Sequence, residues 1–498
     1  MNPRRGALLP IFFLLAASLF ALSAERARGA TISVPFDYAT IQEAIDAAAP
    51  GDEILVEPGT FVENIDFKLK AVTVRGRHGP AVTIIDGAQF GSVVSFTSGE
   101  GSDSVLDGFS LINGTGTEGM WNNYLGGGVY CVDSSPTIRG CIVSGNTAND
   151  GGAIYCGNGS PTIVGNRIVD NSAFKGGAIY LNDHADATIQ NNMIAGNEAS
   201  GHGGGICCWN NVSATITNNT LANNSSTDGG GIYCVINCTL EVTNTILWEN
   251  KAFEGPEIWV GHASSASTLS ISYSDVRQGL AGTWVDLGCT LNWGDGMIDA
   301  DPILADLAGG DLHLTGGSPC ADAGTNSAPS LPGDDFDGDP RVMNGTVDMG
   351  GDELAPVAFI VPDDLPAIQD AIDAAVDGDV IVVKPGIYAE NIDFAGKAIT
   401  LRSSHGPGAT VIDGTRSGSV VTFANGEGPG SVLEGFRLFN GSGTKGMWNN
   451  TYLGGGIFCD GASPTIEGNS IENCTAMMGG GLFCRGGSPR VARNTIAR

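Results

Sequence analysis

The sequence predicts an all-β chain, a right-handed parallel β-helix in the form of a three-sided solenoid, built as two tandem modules. Three observations carry this. A Gly-Gly-x-(Ile/Val) step recurs with its branched residue at Val129, Ile154, Ile179, Ile206 and Ile232, at intervals of 25, 25, 27 and 26 residues. Each interval holds three short β-prone pieces separated by Gly, Asn, Asp and Ser-Pro turns, as a rung of three strands requires. On a longer scale, the segment 41–46 returns at 368–373, 63–67 at 390–394 and 119–123 at 446–450, each pair 327 positions apart.

Taken in order, residues 1–30 have the pattern of a secretory signal. Arg4 and Arg5 precede an apolar run from Ala7 to Leu22, and Ala21, Ser23 and Ala24 suit cleavage. A membrane anchor is the alternative, but the run is short for a spanning helix and Pro10 interrupts it early. The expectation is a secreted, extracellular or cell-surface protein with no transmembrane segment after signal removal.

The first module spans 31–355. Thr40-Ile-Gln-Glu43 is a capping box, and the apolar positions Ile41, Ala44, Ile45 and Ala48 predict a short helix that covers the open end of the stack. Residues 367–376 repeat the pattern and open a second module, 356–498, as a separate stack with its own capping helix. This copy stops at Arg498, opposite about residue 170 of the first, so a C-terminal truncation is expected. Within the first module a Thr-Ile step (Thr137-Ile138, Thr162-Ile163, Thr188-Ile189, Thr215-Ile216) and an Asn-x-(Ile/Leu)-x-x-Asn step complete each rung. Alternation puts Ile154 and Cys156 on one side of a strand and Tyr155 on the other, which predicts an inward Ile/Cys core and an outward aromatic column of Tyr130, Tyr155, Tyr180 and Tyr233. From about residue 272 the period gives way to an irregular closing region.

Composition bounds the partners. The chain of 498 residues has 75 glycines, 54 acidic against 24 basic side chains, and a formal charge of −30. That charge argues against nucleic acid or anionic lipid and is compatible with bound cations. A hydrophobic share of 42% is too high for disorder.

The stretch Ile41 to Asn64, with Gly51-Asp52 and Pro58-Gly59, resembles the N-terminal cap and first rung of pectate-lyase-like β-helix proteins. The Gly-Gly-Ala-Ile-Tyr and Asn-x-Ile-x-x-Asn columns are similar to the repeats of bacterial surface β-helix proteins, including chlamydial polymorphic outer-membrane proteins. The run from Ser272 through Asp299-Ala-Asp301, Gly317-Ser-Pro-Cys320 and Asp335–Arg341 to Gly350 is similar to the closing region of many secreted bacterial β-helix proteins. The resemblance implies fold more than activity, because this fold hosts several functions. The catalytic constellations of pectin methylesterases and polygalacturonases have no counterpart in this sequence.

Four sets of residues are candidates for chemistry. Asp150, Lys175, His202 and Asp228 each precede a Gly-Gly step and should share one edge, where carboxylates could hold a cation and Lys or His could abstract a proton; an ordinary solvated turn is the alternative. The longer turn with Trp121, Asn122 and Asn123, repeated at Trp448, Asn449 and Asn450, interrupts the period and is a candidate ligand-binding element or a structural plug. Asp335, Asp337 and Asp339 alternate around a glycine as calcium loops often do, suggesting Ca2+. Among the twelve cysteines, Cys131 and Cys156, Cys208 and Cys234, and Cys459 and Cys484 fall in one inward column as free thiols, whereas Cys289 and Cys320 in the closing region are the expected disulfide. The expected partners are extracellular polysaccharide or cell-surface components, bound in adhesion, envelope structure or saccharide recognition. A polysaccharide lyase or glycoside hydrolase acting on acidic polysaccharide is the alternative.

Overall fold

The computed structural model describes residues 29–119, 122–261, 265–343, 345–354, 358–446 and 451–497. The expected signal lies outside them as far as residue 28, as do Trp121, Trp448, Asn449 and Asn450.

The first module is a stack of three parallel sheets of eleven, nine and nine strands. On the Gly-Gly face, Val129–Val132 pairs in register with Ile154–Gly157, and the ladder continues through Ile179–Asn182, Ile206–Trp209, Ile232–Val235 and Ile258–Gly261. The Thr-Ile steps build the eleven-stranded face. The Asn steps build the third face, from Ile142–Ser144 through Arg167–Val169, Met193–Ala195 and Thr220–Ala222 to Ile246–Trp248. Side-chain alternation turns Ile154, Cys156, Ile163 and Ile168 into a closed interior with at most 1% exposure. The second module has its own sheets of six, five and four strands and its own apolar core.

The cysteines pair in register without bridging. Cys131 faces Cys156, Cys208 faces Cys234 and Cys459 faces Cys484, and all are free thiols. The expected Cys289–Cys320 bridge is not formed. Cys289 packs against the main core, while Cys320 lies in a lateral cluster with Ile246, Leu314 and Met349 and donates to Asp275 Oδ2 at 3.3 Å.

Asparagine supplies the interior with two polar columns. Asn166, Asn192 and Asn219 form one and Asn146, Asn171, Asn197, Asn224 and Asn250 the other, each fully or almost fully buried. Every side chain bonds to the rung before it, and all but Asn219 and Asn250 also donate to the rung after it: Asn192 Nδ2 donates to Ile163 O at 2.9 Å and to Asn219 Oδ1 at 3.0 Å, and its Oδ1 accepts from Asn166 N at 2.9 Å. Buried polar turns are thereby satisfied without water.

Each stack opens on a helix, Ile41–Ala47 and Ile368–Ala374. Thr40 caps the first by accepting from Glu43 N, but Ala367 offers the second no side-chain oxygen. A carboxylate one rung away does the work in both. Glu63 accepts from Ile41 N and Gln42 N at 3.0 Å each, and Glu390 accepts from Ile368 N and Gln369 N at 3.0 and 2.9 Å. These are the N–H groups a helix start leaves unpaired.

The closing region does more than end the stack. It runs back along the outside of the Asn face: Leu312 and the flanking Leu304 and Leu307 cover Val169, Met193, Ala195 and Ala222. Asn191 Nδ2 donates to Asp334 O at 2.6 Å, Asn218 Nδ2 to Asp348 O at 3.0 Å and Asn244 Nδ2 to Thr325 O at 3.1 Å. Arg341, 1% exposed, holds this layer together by donating to the carbonyls of Asp348, Gly350, Gly351 and Asp352.

Candidate functional site

The Gly-Gly face is left uncovered by the closing region and carries the candidate site. The residue preceding each Gly-Gly step sits at one edge of this face because the glycine after it adopts a left-handed conformation (φ 71° at Gly151, 63° at Gly176) and turns the chain there. Parallel bridges link Leu125 to Asp150, Asp150 to Lys175, Lys175 to His202, His202 to Asp228 and Asp228 to Glu254. The four charged candidates are therefore brought into one column, one rung apart.

Each is engaged by neighbours. Asp150 is 9% exposed; burial pushes its carboxyl above the ordinary value, while Asn123 Nδ2 donates to it at 2.7 Å. Lys175 Nζ stands 4.0 Å from the centre of the Trp209 ring and 5.9 Å from that of Tyr180, a cation–π arrangement. His202 stacks on Tyr233 with centroids 4.6 Å apart, and its Nδ1 lies 3.1 Å from Asp228 Oδ2. Burial pulls the His202 imidazole below its ordinary value in spite of Asp228.

Beside the column runs the aromatic ladder. Tyr130, Tyr155 and Tyr180 follow one another at 5.7 and 5.5 Å, Cys207 takes the next rung, and Tyr233 and Trp259 continue at 4.5 Å. The rings point away from the core, yet Tyr155, Tyr180 and Tyr233 are only 7%, 2% and 5% exposed. They cover one another, and Leu125, Val132 and Trp209 cover the rest. Burial pushes the Tyr155 hydroxyl up to about 12.

At its N-terminal end the ladder opens into a groove of about 770 Å³. Tyr130 and Tyr155 form its floor, and Glu118, Asp133, Asn158, Asp183 and His184 stand around it, all exposed. Asp133, Asn158 and Asp183 occupy the same turn of successive rungs, each with positive φ (53°, 52° and 46°), a conformation that Asn and Asp tolerate better than other non-glycine residues. The interrupting turn closes one end as a small hairpin, Thr117–Glu118 against Tyr124–Leu125. It docks on the charged column, with Asn149 N donating to Tyr124 O at 2.7 Å and Asn123 reaching Asp150. Asn122 is exposed in the loop of this hairpin.

The second module repeats the hairpin, Thr444–Lys445 against Tyr452–Leu453, but not the surface. Met478 takes the place of Asp150, and Phe458 and Phe483 stack at 5.9 Å in place of tyrosines.

The expected calcium loop divides. Asp335 Oδ1 accepts from the backbone N of Asp337, Gly338 and Asp339 at 2.9 Å each, and its Oδ2 accepts from Glu353 N at 2.9 Å. Oδ1 shapes the loop itself, and Oδ2 ties it to the segment at Glu353. Asp337 instead turns to His313, whose Nε2 lies 3.2 Å from its Oδ2. Sequence spacing gave no sign of His313, which reaches the loop only because the closing region folds back on itself.

Residues 120–271 match the family model described as a right handed beta helix region. The fold is a parallel β-helix, and the matched stretch is a right-handed β-helix region. Two structures of the PL6-family alginate lyase AlyGC, one of them a mutant, align with this β-helix over 94% of its chain and 80% of theirs, with 15% and 13% identity and TM-scores of 0.25 and 0.17. No curated protein matches the sequence. Among the described residues no helix is long and apolar enough to cross a membrane.

Proposed function

We propose that this β-helix is a non-catalytic extracellular or cell-surface protein that binds a neutral polysaccharide in the groove over Tyr130 and Tyr155, in adhesion or envelope structure. The observation that carries this is the pairing of an aromatic floor, Tyr130 tilted by 34° against Tyr155, with a rim of Asp, Asn and His side chains. Sugar rings present an apolar face to aromatic rings and hydroxyls to the surrounding polar groups. Glu118, Asp133 and Asp183 on the rim, in a chain of net charge −30, disfavour a polyuronate, since like charges brought together cost affinity. Lys175 over the Trp209 ring and His202 stacked on Tyr233 support a packing role for the charged column in place of proton transfer.

Tyr130 is the more accessible floor residue and tests the reading. Tyr130→Ala is expected to weaken binding of neutral glycan oligomers by about 3–10-fold, with a stability loss of about 1 kcal/mol from the ring contact with Tyr155. Calorimetric titration of both proteins measures it. Unchanged affinity in the variant would move the ligand elsewhere.

A further inference from the structure

The closing region holds a second cluster that the groove does not use. His313, on the strand Asp311–Leu314, meets Asp337 from the 335–339 turn and Asp352 from the segment that Arg341 binds. One ligand atom from each of the three lies within 4.8 Å of the others. We propose that His313 Nε2, Asp337 and Asp352 form a binding site for a divalent first-row metal ion of the zinc type. The site lies against the Asn face, away from the groove, and is independent of the saccharide reading.

Four features carry this. First, His313 Nε2 is shut off from solvent and has no aligned hydrogen-bond partner, although Asp337 Oδ2 is 3.2 Å away. A buried polar nitrogen without a partner is costly, and a cation at that point would satisfy it. Second, the other ring nitrogen is already fixed: Nδ1 meets the Asp311 carboxylate. A carboxylate on the far nitrogen orients a metal-bound imidazole and raises its basicity. Third, Asp352 is 6% exposed and uses Oδ2 to accept from Leu314 N at 2.8 Å, leaving Oδ1 available. Fourth, three carboxylates crowd one imidazole, an excess of negative charge that a divalent cation offsets.

The donor set selects the ion. One imidazole nitrogen and two carboxylate oxygens suit zinc and its first-row neighbours, whereas calcium and magnesium prefer oxygen alone. Zinc takes such ligands at about 2.0–2.2 Å. Asp337, with about half its side chain exposed, is free to close the remaining spacing, while His313 and Asp352 are held. Phe336 packs edge-on against His313 at 5.8 Å, and its backbone N donates to Gly351 O at 2.9 Å, so the two acidic segments are tied together beforehand.

The test uses the whole chain, stripped with EDTA and titrated with zinc and with cobalt. The twelve cysteines could also take these ions, and cobalt distinguishes the two cases. The expected result is one equivalent bound, with weak visible cobalt bands and no thiolate charge-transfer absorption. Asp337→Asn, at an exposed position, and Asp311→Asn, at a positioning residue, should each weaken binding by about 10–100-fold, and His313→Gln should abolish it. Thiolate charge transfer at the first equivalent, unchanged affinity in Asp337→Asn, or binding of calcium in preference to zinc would each overturn the assignment.

Discussion

Gly177→Ala is expected to cost the first module about 3–5 kcal/mol, a large share of an ordinary folding margin. A Cβ at Gly177 would stand 2.6 Å from Gly204 O and 2.8 Å from the carbonyl carbon and oxygen of Glu198. All three atoms are backbone, so no side chain can swing aside. The same approach recurs up the stack: Gly127 faces Gly152 O at 2.3 Å, Gly152 faces Gly177 O at 2.4 Å and Gly230 faces Pro256 O at 2.6 Å. Relief would require the rungs to part where Gly177 N donates to Gly203 O at 3.0 Å and Ala178 N to Gly204 O at 3.0 Å. Gly101→Ala is the control. Nothing lies within 4 Å of its Cβ position, so the substitution should be neutral or stabilising by up to about 1 kcal/mol. Urea unfolding of both variants measures the difference, and similar midpoints would contradict the close-approach argument.

Asn192→Ala is expected to lose about 3–5 kcal/mol, because several buried groups would be left without partners at about 1–3 kcal/mol each before relaxation. Asn192 is fully buried. Its amide donates to Ile163 O at 2.9 Å and to Asn219 Oδ1 at 3.0 Å, and its Oδ1 accepts from Asn166 N at 2.9 Å and Asn166 Nδ2 at 3.0 Å. Alanine keeps none of these and is too small to exclude the penalty by filling the space. Asn192→Asp should be no better, since it removes the donor and places a carboxylate beside two acceptor oxygens. The same unfolding measurement decides it: a loss under about 1 kcal/mol would mean that water enters the turn and replaces the column.

These two residues show what was legible in the sequence. The Gly-Gly and Asn steps announced a rung and its period, and alternation placed Ile154 and Cys156 inside with Tyr155 outside. Asn192 and Asn166 were legible only as turn formers. Their inward direction depends on stacking with the next rung, a partner some 26 residues away, which composition does not encode. The tyrosine column was visible, but not its burial, because a flat ring repeated every rung covers its neighbour only once the register is known. The charged column of Asp150, Lys175, His202 and Asp228 could be aligned from the period alone. That Lys175 settles on Trp209 could not, since Trp209 sits on the following rung and at the far end of its strand. The closing region was recognisable by its lost period, yet its return along the Asn face and the meeting of His313 with Asp352 are long-range events without local signature. The Cys289–Cys320 pairing expected from an oxidising compartment and irregular surroundings is not formed, because the two thiols pack in separate clusters.

The groove is proposed to hold a neutral glycan without transforming it. A single panel separates binding from turnover: the full chain is mixed with neutral glucans and mannans and with pectate and alginate, with and without calcium, and both binding and products are followed. The expected result is binding of at least one neutral polymer, weakened by Tyr130→Ala, with no new reducing ends and no unsaturated sugars. Turnover of a polyuronate that disappears in Lys175→Ala would contradict it and assign the charged column to catalysis.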